Sequence, residues 1–129
     1  MDTQEIIGKI QTALEKCSTD SSIDKKDIRI KLSIKKGLIV NDTRCVLMNK
    51  KDDLHEIDLR TLLNINPMQS LAVGKYLSST LSGLAKKEGI KDTDVNARIF
   101  TKSEDFYPSV TLFNENKKVR EITVEELTK

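Results

Sequence analysis

Hydrophobic residues recur at helical spacing in two long segments of the chain. In the first segment, Ile6, Ile10, Leu14 and Cys17 lie three or four residues apart, which predicts a helix over Asp2–Cys17. In the second segment, the same spacing predicts a helix over Pro67–Glu88, with the apolar stripe Val73, Leu77, Leu81 and Leu84.

Local signals define both ends of the second helix. Asn66 is a residue type that caps helix N-termini, and Pro67 is favoured at the first helical position. Gly89 follows the last apolar position and is typical of a helix C-terminus.

Alternation of aliphatic and polar residues predicts β-strands between and after these helices. The clearest case is Ile28–Ile34, which places four aliphatic side chains on one face of a sheet. The other predicted elements are a strand within Leu38–Asn49, a strand over His55–Leu59, a helical turn over Leu59–Leu63, strands over Val95–Thr101, Tyr107–Phe113 and Lys118–Ile122, and a terminal helical turn that begins at Thr123.

The strand pattern occurs twice, with an offset of 65 residues. Residues 28–62 align without a gap on residues 93–127, and their apolar positions stay in phase. This alignment places Ile30 on Val95 and Leu32 on Ala97. The identical pairs are Ile34/Ile99, Leu47/Leu112, Asn49/Asn114, Glu56/Glu121, Ile57/Ile122 and Leu62/Leu127. An internal period of this kind determines the architecture.

The predicted architecture is therefore a single α+β domain, 1–129, made of two structural repeats, 1–65 and 66–129. Each repeat has the order α-β-β-β, and the two are related by a pseudo-twofold axis. We expect a mainly antiparallel sheet of about six strands with two long helices on one face. In an alternative arrangement, each half pairs with its counterpart in a second chain.

The order of the elements resembles that of two known families. The strand order of one half is similar to that of double-stranded-RNA-binding domains, whose second helix opens with a lysine cluster. Here the corresponding residues are Asn66-Pro67-Met68-Gln69-Ser70, so the phosphate-gripping residues are missing. The order helix, three strands, helix and further strands resembles that of the small dimeric chaperones of secretion systems. Both resemblances concern topology alone.

Composition and charge indicate a small core inside a well-solvated surface. The chain is 37% hydrophobic and 33% charged, with a net charge of +2. It has no apolar run of membrane-spanning length, and its first residues do not form a signal or transit peptide, so we expect a cytoplasmic protein. Cys17 and Cys45 are interpreted as small buried hydrophobic residues rather than as a disulfide framework.

No motif for catalysis, cofactor binding or metal binding is present. His55 is the only histidine, and neither a serine nor a cysteine nucleophile is paired with it by a readable motif. The acidic doublets Asp52-Asp53 and Glu125-Glu126 stand where a turn and a helix start explain them. The five glycines form no phosphate-binding loop. We therefore expect no enzyme activity, no cofactor and no metal site.

A non-catalytic protein-interaction or self-assembly module is the leading functional prediction, with a dimer as one form of it. All five aromatic residues lie in the second half, so the halves differ most where aromatics appear. Phe106, Tyr107 and Pro108 are the predicted protein-binding residues, since aromatics are enriched at interface anchors. A Phe-Tyr-Pro entry into a strand is equally typical of a packed core.

A nucleic-acid-binding protein is the alternative prediction. Clustered lysines neutralise phosphates, and three lysine doublets are expected in the turns of the sheet. These candidate residues are Lys35, Lys36, Lys50, Lys51, Lys117 and Lys118. Acidic residues adjoin several doublets, and lysines in turns also keep a sheet soluble, so this alternative ranks second.

Overall fold

The computed structural model describes residues 1–129 and has an α+β fold with one six-stranded sheet and four helices. The elements in chain order are α1 (Thr3–Ser21), β1 (Ile28–Lys35), β2 (Asp42–Asn49), β3 (Asp52–Ile57), α2 (Leu59–Leu63), α3 (Pro67–Glu88), β4 (Val95–Thr101), β5 (Pro108–Asn114), β6 (Lys117–Ile122) and α4 (Val124–Thr128).

The strands form a single antiparallel sheet in the order β3-β2-β1-β4-β5-β6. The two halves of the chain meet at the centre, where β1 pairs with β4 and Lys31 lies opposite Arg98. β3 and β6 are the two edge strands. The predicted α+β class, with six antiparallel strands and two long helices, is confirmed.

The helices cover one face of the sheet because alternate strand residues are apolar. Ile30, Leu47 and Leu112 are each at most 1% exposed, and they share one core cluster with residues of α1 and α3 such as Leu14 and Leu81. α1 packs against β1, β5 and α4, whereas α3 packs against β1, β2 and β4. Each long helix therefore contacts strands from both halves of the chain.

Helix ends follow their capping residues. α3 has the predicted bounds, because the Asn66 side chain accepts a hydrogen bond from the Gln69 N–H and Gly89 adopts a left-handed conformation. α1 continues to Ser21, four residues beyond the predicted end at Cys17. Ser22 ends it in a left-handed conformation, with φ of 54°. That conformation is unusual for serine, which is why the sequence did not indicate it.

The strand registers show which positions of the two halves correspond. Ile28 pairs with Asn49 in the first half, and Val95 pairs with Asn114 in the second. The register also shifts at equivalent places, Leu47/Met48 in the β2–β3 ladder and Leu112/Phe113 in the β5–β6 ladder. β2 and β5 thus correspond at an offset of 65 residues (49 and 114), but β1 and β4 correspond at 67 (28 and 95).

The ungapped alignment is therefore displaced by two residues in β1 and β4. Ile30 corresponds to Ala97 rather than to Val95, because Ile30 pairs with Leu47 and Ala97 pairs with Leu112. The sequence pattern did not reveal this shift, since a shift of two residues leaves every side chain on the same face. Corresponding positions of the two halves are those that occupy the same place in these registers. Duplication of one ancestral unit stays a prediction.

The displacement arises in the first β-hairpin, which is two residues longer than the second. The pair Ile34–Thr43 in the first half corresponds to the pair Thr101–Pro108 in the second half. The first half then has one further pair, Lys35–Asp42, which the second half lacks. The β1–β2 loop, residues 36–41, consequently projects one residue pair farther from the sheet than the β4–β5 loop does.

Candidate interaction site

The β1–β2 loop presents three consecutive aliphatic side chains to solvent. Leu38 and Ile39 are 106% and 96% exposed, and Val40 is 44% exposed. Single exposed aliphatic residues are ordinary on a protein surface, but a contiguous group is typical of an interaction site. We call residues 36–41 the apolar loop.

Contacts at Gly37 define a turn in the apolar loop. The Gly37 N–H donates a hydrogen bond to the Asn41 side-chain oxygen at 3.3 Å. A Cβ atom at position 37 would collide with the Val40 carbonyl oxygen, so only glycine fits this turn. The exposure of Leu38 and Ile39 follows from this turn, which directs the chain away from the sheet.

A depression of about 330 Å³ lies between the second half of α1, the edge strand β3 and α2. Buried Ala13 and Leu47 and half-buried Cys17, Ile57 and Leu62 give it an apolar floor. We call it the α1–β3 groove. Its remaining lining residues are Lys16, Asp20, Ser21, His55 and Thr61.

The corresponding region of the second half is closed. Arg120 on β6 bridges to Glu88 at the end of α3, 2.9 Å away, and to Glu126 on α4, 3.6 Å away. The hydrogen bond to Glu88, together with the charges of Glu88 and Glu126, raises the pKa of Arg120. The apolar residues beneath it, which correspond to Cys17, Ile57 and Leu62, are buried: Leu84, Ile122 and Leu127.

The first half lacks the residues that close this region. His55 stands where the second half has Arg120, and Ser21 and Thr61 stand where it has Glu88 and Glu126. Cys17 is also smaller than Leu84, which occupies the corresponding helix position. The groove is therefore open because its side chains are shorter and because no ion pair spans it.

The apolar loop is basic, whereas the groove lining holds one basic and one acidic residue, Lys16 and Asp20. Residues 35–41 contain Lys35 and Lys36 and no acidic residue. Residues 52–58, which are β3 and the residue after it, contain four carboxylates: Asp52, Asp53, Glu56 and Asp58. Three of these carboxylates have basic neighbours, since Asp53 bridges to Lys31, Glu56 to Arg44 and Asp58 to Arg60. None of these four carboxylates lines the groove, and Lys50 and Lys51 adjoin Asp52 in the chain.

The three predicted protein-binding residues have different environments. Phe106 packs against the hydrophobic core and Pro108 is buried at the start of β5. Tyr107 alone is exposed, at 42%, and its hydroxyl donates a hydrogen bond to Glu125 at 3.3 Å. Only Tyr107 of the three therefore presents a side chain to a partner in this conformation.

The β4–β5 loop that carries these residues is held by its own hydrogen bonds. Ser103 Oγ donates to the Asp105 carboxylate at 2.6 Å, and the Tyr107 N–H donates to Ser103 Oγ at 2.9 Å. The bond from Ser103, followed by a second bond that the Tyr107 N–H donates to the Asp105 carboxylate at 3.3 Å, lowers the pKa of Asp105 below its usual range. The sequence prediction chose this loop for its aromatic residues, and its role in binding stays a prediction. The sequence signal for the apolar loop was Leu38-Ile39-Val40 after the glycine turn.

The predicted lysine doublets do not form one surface. Lys50 and Lys51 lie in the β2–β3 turn, beside the start of β1, whereas Lys35 and Lys36 lie at its end. Seven residue steps separate these ends, roughly 23 Å at about 3.3 Å per residue. Lys117 and Lys118 share the sheet end of Lys35, but β6 is three strands away from β1.

The sheet face without helices carries a cationic and aromatic network that the sequence pattern did not predict. The Arg98 guanidinium stacks 3.8 Å above the Phe113 ring, and Arg29 lies 5.1 Å from the Phe100 ring. Arg98 is only 6% exposed and donates hydrogen bonds to Asn96, Asn116 and the Glu115 carbonyl. These contacts use three of the five N–H donors of Arg98 within the protein.

The cysteines show no sign of activation. Burial raises the pKa of Cys45 to about 12, with nearby Asp42, Asp58 and Glu56 adding to it. Burial also raises the pKa of half-buried Cys17. Both thiols are therefore protonated at neutral pH, and nucleophilic chemistry needs the thiolate. No three His, Cys, Asp or Glu side chains converge as metal ligands would.

None of the four helices combines the length and the apolar character needed to cross a bilayer. No protein-family model matches the chain, and neither a curated protein nor a solved structure shows significant similarity to it.

Proposed function

We propose that this protein is a non-catalytic interaction module that binds another protein or a second copy of itself. The apolar loop carries this proposal: Leu38 and Ile39 are almost fully exposed, directly after the turn at Gly37. A soluble chain gains nothing from presenting these side chains to water, whereas a partner surface would shield them.

Burial of the loop would supply a useful binding energy. A fully exposed aliphatic side chain contributes about 1.5–3 kcal/mol when it is buried, so Leu38 and Ile39 together represent a substantial hot spot. The fixed turn at Gly37 reduces the conformational entropy that is lost on binding. The proposal places the protein in the cytoplasm, where free thiols such as Cys17 and Cys45 stay reduced.

Nucleic-acid binding is the weaker candidate. Its support is the net charge of +2 and the cationic residues of the sheet face without helices. Lys31 is already paired with Asp53, and Arg98 uses three of its five N–H donors internally. The lysine doublets lie at separate places around the sheet. Few cations are therefore free to follow a phosphate backbone.

Site-specific photocrosslinking tests the proposal. A photoreactive amino acid replaces Ile39 in the full-length protein, in cells that naturally produce it, and discrete protein adducts are expected. The same group at exposed Lys118 is the control, because it lies outside the apolar loop and is expected to give no matching adducts. Identical adduct patterns at both positions, or none at Ile39, would contradict the proposal.

A further inference from the structure

We propose that the β4–β5 loop, residues 102–107, is a latch that opens locally and releases Phe106 from the core. In the open state, Phe106 and Tyr107 together form an aromatic anchor for a partner. This inference goes beyond the proposed function, which rests on the apolar loop. It is motivated by a strained backbone conformation at Phe106 and by the exposed contacts that maintain it.

Phe106 has a left-handed backbone conformation, with φ of 62°. A bulky side chain in this region is an outlier, because its Cβ atom crowds the following carbonyl oxygen. Strain of this kind persists only where neighbouring contacts impose it, and it is concentrated at clamps and switch regions. Four other residues that are not glycine have positive φ, but all of them are exposed and polar: Ser22, Lys50, Asn64 and Glu115.

Side chains from three other segments hold the loop closed. Gln11 on α1 donates a hydrogen bond to the Asp105 carbonyl oxygen at 2.6 Å. Lys25, which precedes β1, forms an ion pair with Glu104 at 2.6 Å. The third contact is the hydrogen bond that the Tyr107 hydroxyl donates to α4. All three contacts are exposed to solvent or have an exposed partner, so each contributes little to stability.

The packing of Phe106 is also weaker than that of a core residue. Its ring packs against the core cluster but is only half-buried, so it gains part of the stabilisation that full burial gives. The backbone strain opposes this gain. The closed and open states therefore differ little in free energy, as is usual for loops that open without unfolding the rest of the domain. A minor open population follows.

Opening changes what the loop offers to a partner. Tyr107 is already 42% exposed, and release of Phe106 adds a second aromatic side chain beside it. Aromatic residues dominate binding hot spots, and a partner that binds the open state shifts the population toward it. The apolar loop has no residue with positive φ and is exposed without any opening. The two corresponding loops thus differ in that only the second is gated.

Amide hydrogen exchange measured by NMR on the purified protein tests the opening. The reporter is the Tyr107 N–H, which donates to Ser103 Oγ, and the core reference is the Leu112 N–H. In the wild type, we expect Tyr107 to exchange at least about 10-fold faster than Leu112, through local opening. Gln11→Ala should raise the Tyr107 rate about 5-fold, because it removes one latch contact. Gln4→Ala, at an exposed glutamine of the same helix, is the control and should leave both rates unchanged.

A pair of substitutions at Phe106 tests the strain. Phe106→Gly and Phe106→Ala both remove the ring, but only glycine adopts positive φ without strain. We therefore expect a higher melting temperature for Phe106→Gly than for Phe106→Ala. The same pair at Tyr107 is the control and should show the opposite order, because Tyr107 does not have positive φ.

Crosslinking tests the consequence for binding. An aromatic photoreactive amino acid at position 107 should give more protein adducts in the Gln11→Ala background than in the Gln4→Ala background. The inference is overturned if Tyr107 exchanges as slowly as Leu112, if Phe106→Ala is the more stable variant, or if Gln11→Ala changes neither the exchange nor the adducts. Loss of specific crosslinks at Ile39 would instead remove the proposed function and leave the latch in place.

Discussion

Arg98 shows how one residue can escape a sequence pattern. Alternation in β4 assigns it to the polar face of the sheet, which predicts an exposed side chain. It is buried instead, because the Phe113 ring and three polar partners surround its guanidinium. The pattern predicted the face correctly. The burial of Arg98 depends on residues outside its own strand, such as Phe113 on β5 and Asn116 in the turn after β5. The alternation within β4 contains no information about these residues.

Replacement of Arg98 tests its structural role. We expect Arg98→Ala to lower the free energy of unfolding by about 2–4 kcal/mol, because it removes charged hydrogen bonds and a cation–π contact. Arg44→Ala is the control, since Arg44 makes an exposed ion pair with Glu56 that contributes less than about 1 kcal/mol. Urea denaturation measures both. Equal losses in the two variants would rule out the structural role.

Cys45 should make stability depend on alkaline pH. Its pKa is raised to about 12, so folding favours the protonated thiol. This contribution is fully present below the ordinary thiol pKa of about 8.5 and is lost as the pH rises toward the folded value. We expect the free energy of unfolding of the wild type to fall more steeply above about pH 8.5 than that of Cys45→Ala. Parallel pH profiles of the two proteins would contradict the assignment.

At the scale of elements, the sequence was most informative where local chemistry determines the structure. α3 begins and ends at its predicted residues, because the Asn66 cap and the Gly89 C-cap act within a few residues. β1 and β4 were identified as strands, but their correspondence was displaced by two residues, since alternation does not distinguish such shifts. The groove was not predictable because its opening depends on the sizes of side chains from α1, β3 and α2.

Matched truncations measure the difference between the two halves. Leu47→Ala and Leu112→Ala should each cost about 2–5 kcal/mol, since both side chains are fully buried in the core. Ile57→Ala should cost less than Ile122→Ala, because Ile57 borders the open groove while Ile122 lies in the region that Arg120 closes. Chemical denaturation of the four variants gives the values. A larger loss at Ile57 would mean that the groove is filled in solution.

At the scale of the whole molecule, neither half has a complete core. The sheet halves join only through β1 and β4, yet α1 packs against β5 and α4, and α3 packs against β1 and β2. Separation of the halves would therefore expose the paired edges of β1 and β4. It would also remove α3 from β1 and β2, and α1 from β5. Repeat units that depend on a neighbour to bury an apolar face behave in this way.

Fragment complementation tests this dependence. The chain is divided between Ile65 and Asn66, which leaves the α3 capping box intact within the second fragment. We expect fragments 1–65 and 66–129 to be largely unfolded alone, because the apolar area that each buries does not offset its conformational entropy. An equimolar mixture should regain helical circular dichroism and a cooperative thermal transition. The control fragment carries Ile30→Asp, which places a charge in the centre of the shared core, so its mixture should remain unfolded.

Cooperative unfolding of either fragment alone would instead show two independent domains. In that case the contacts between α1 and β5 would be a docking interface rather than part of one core.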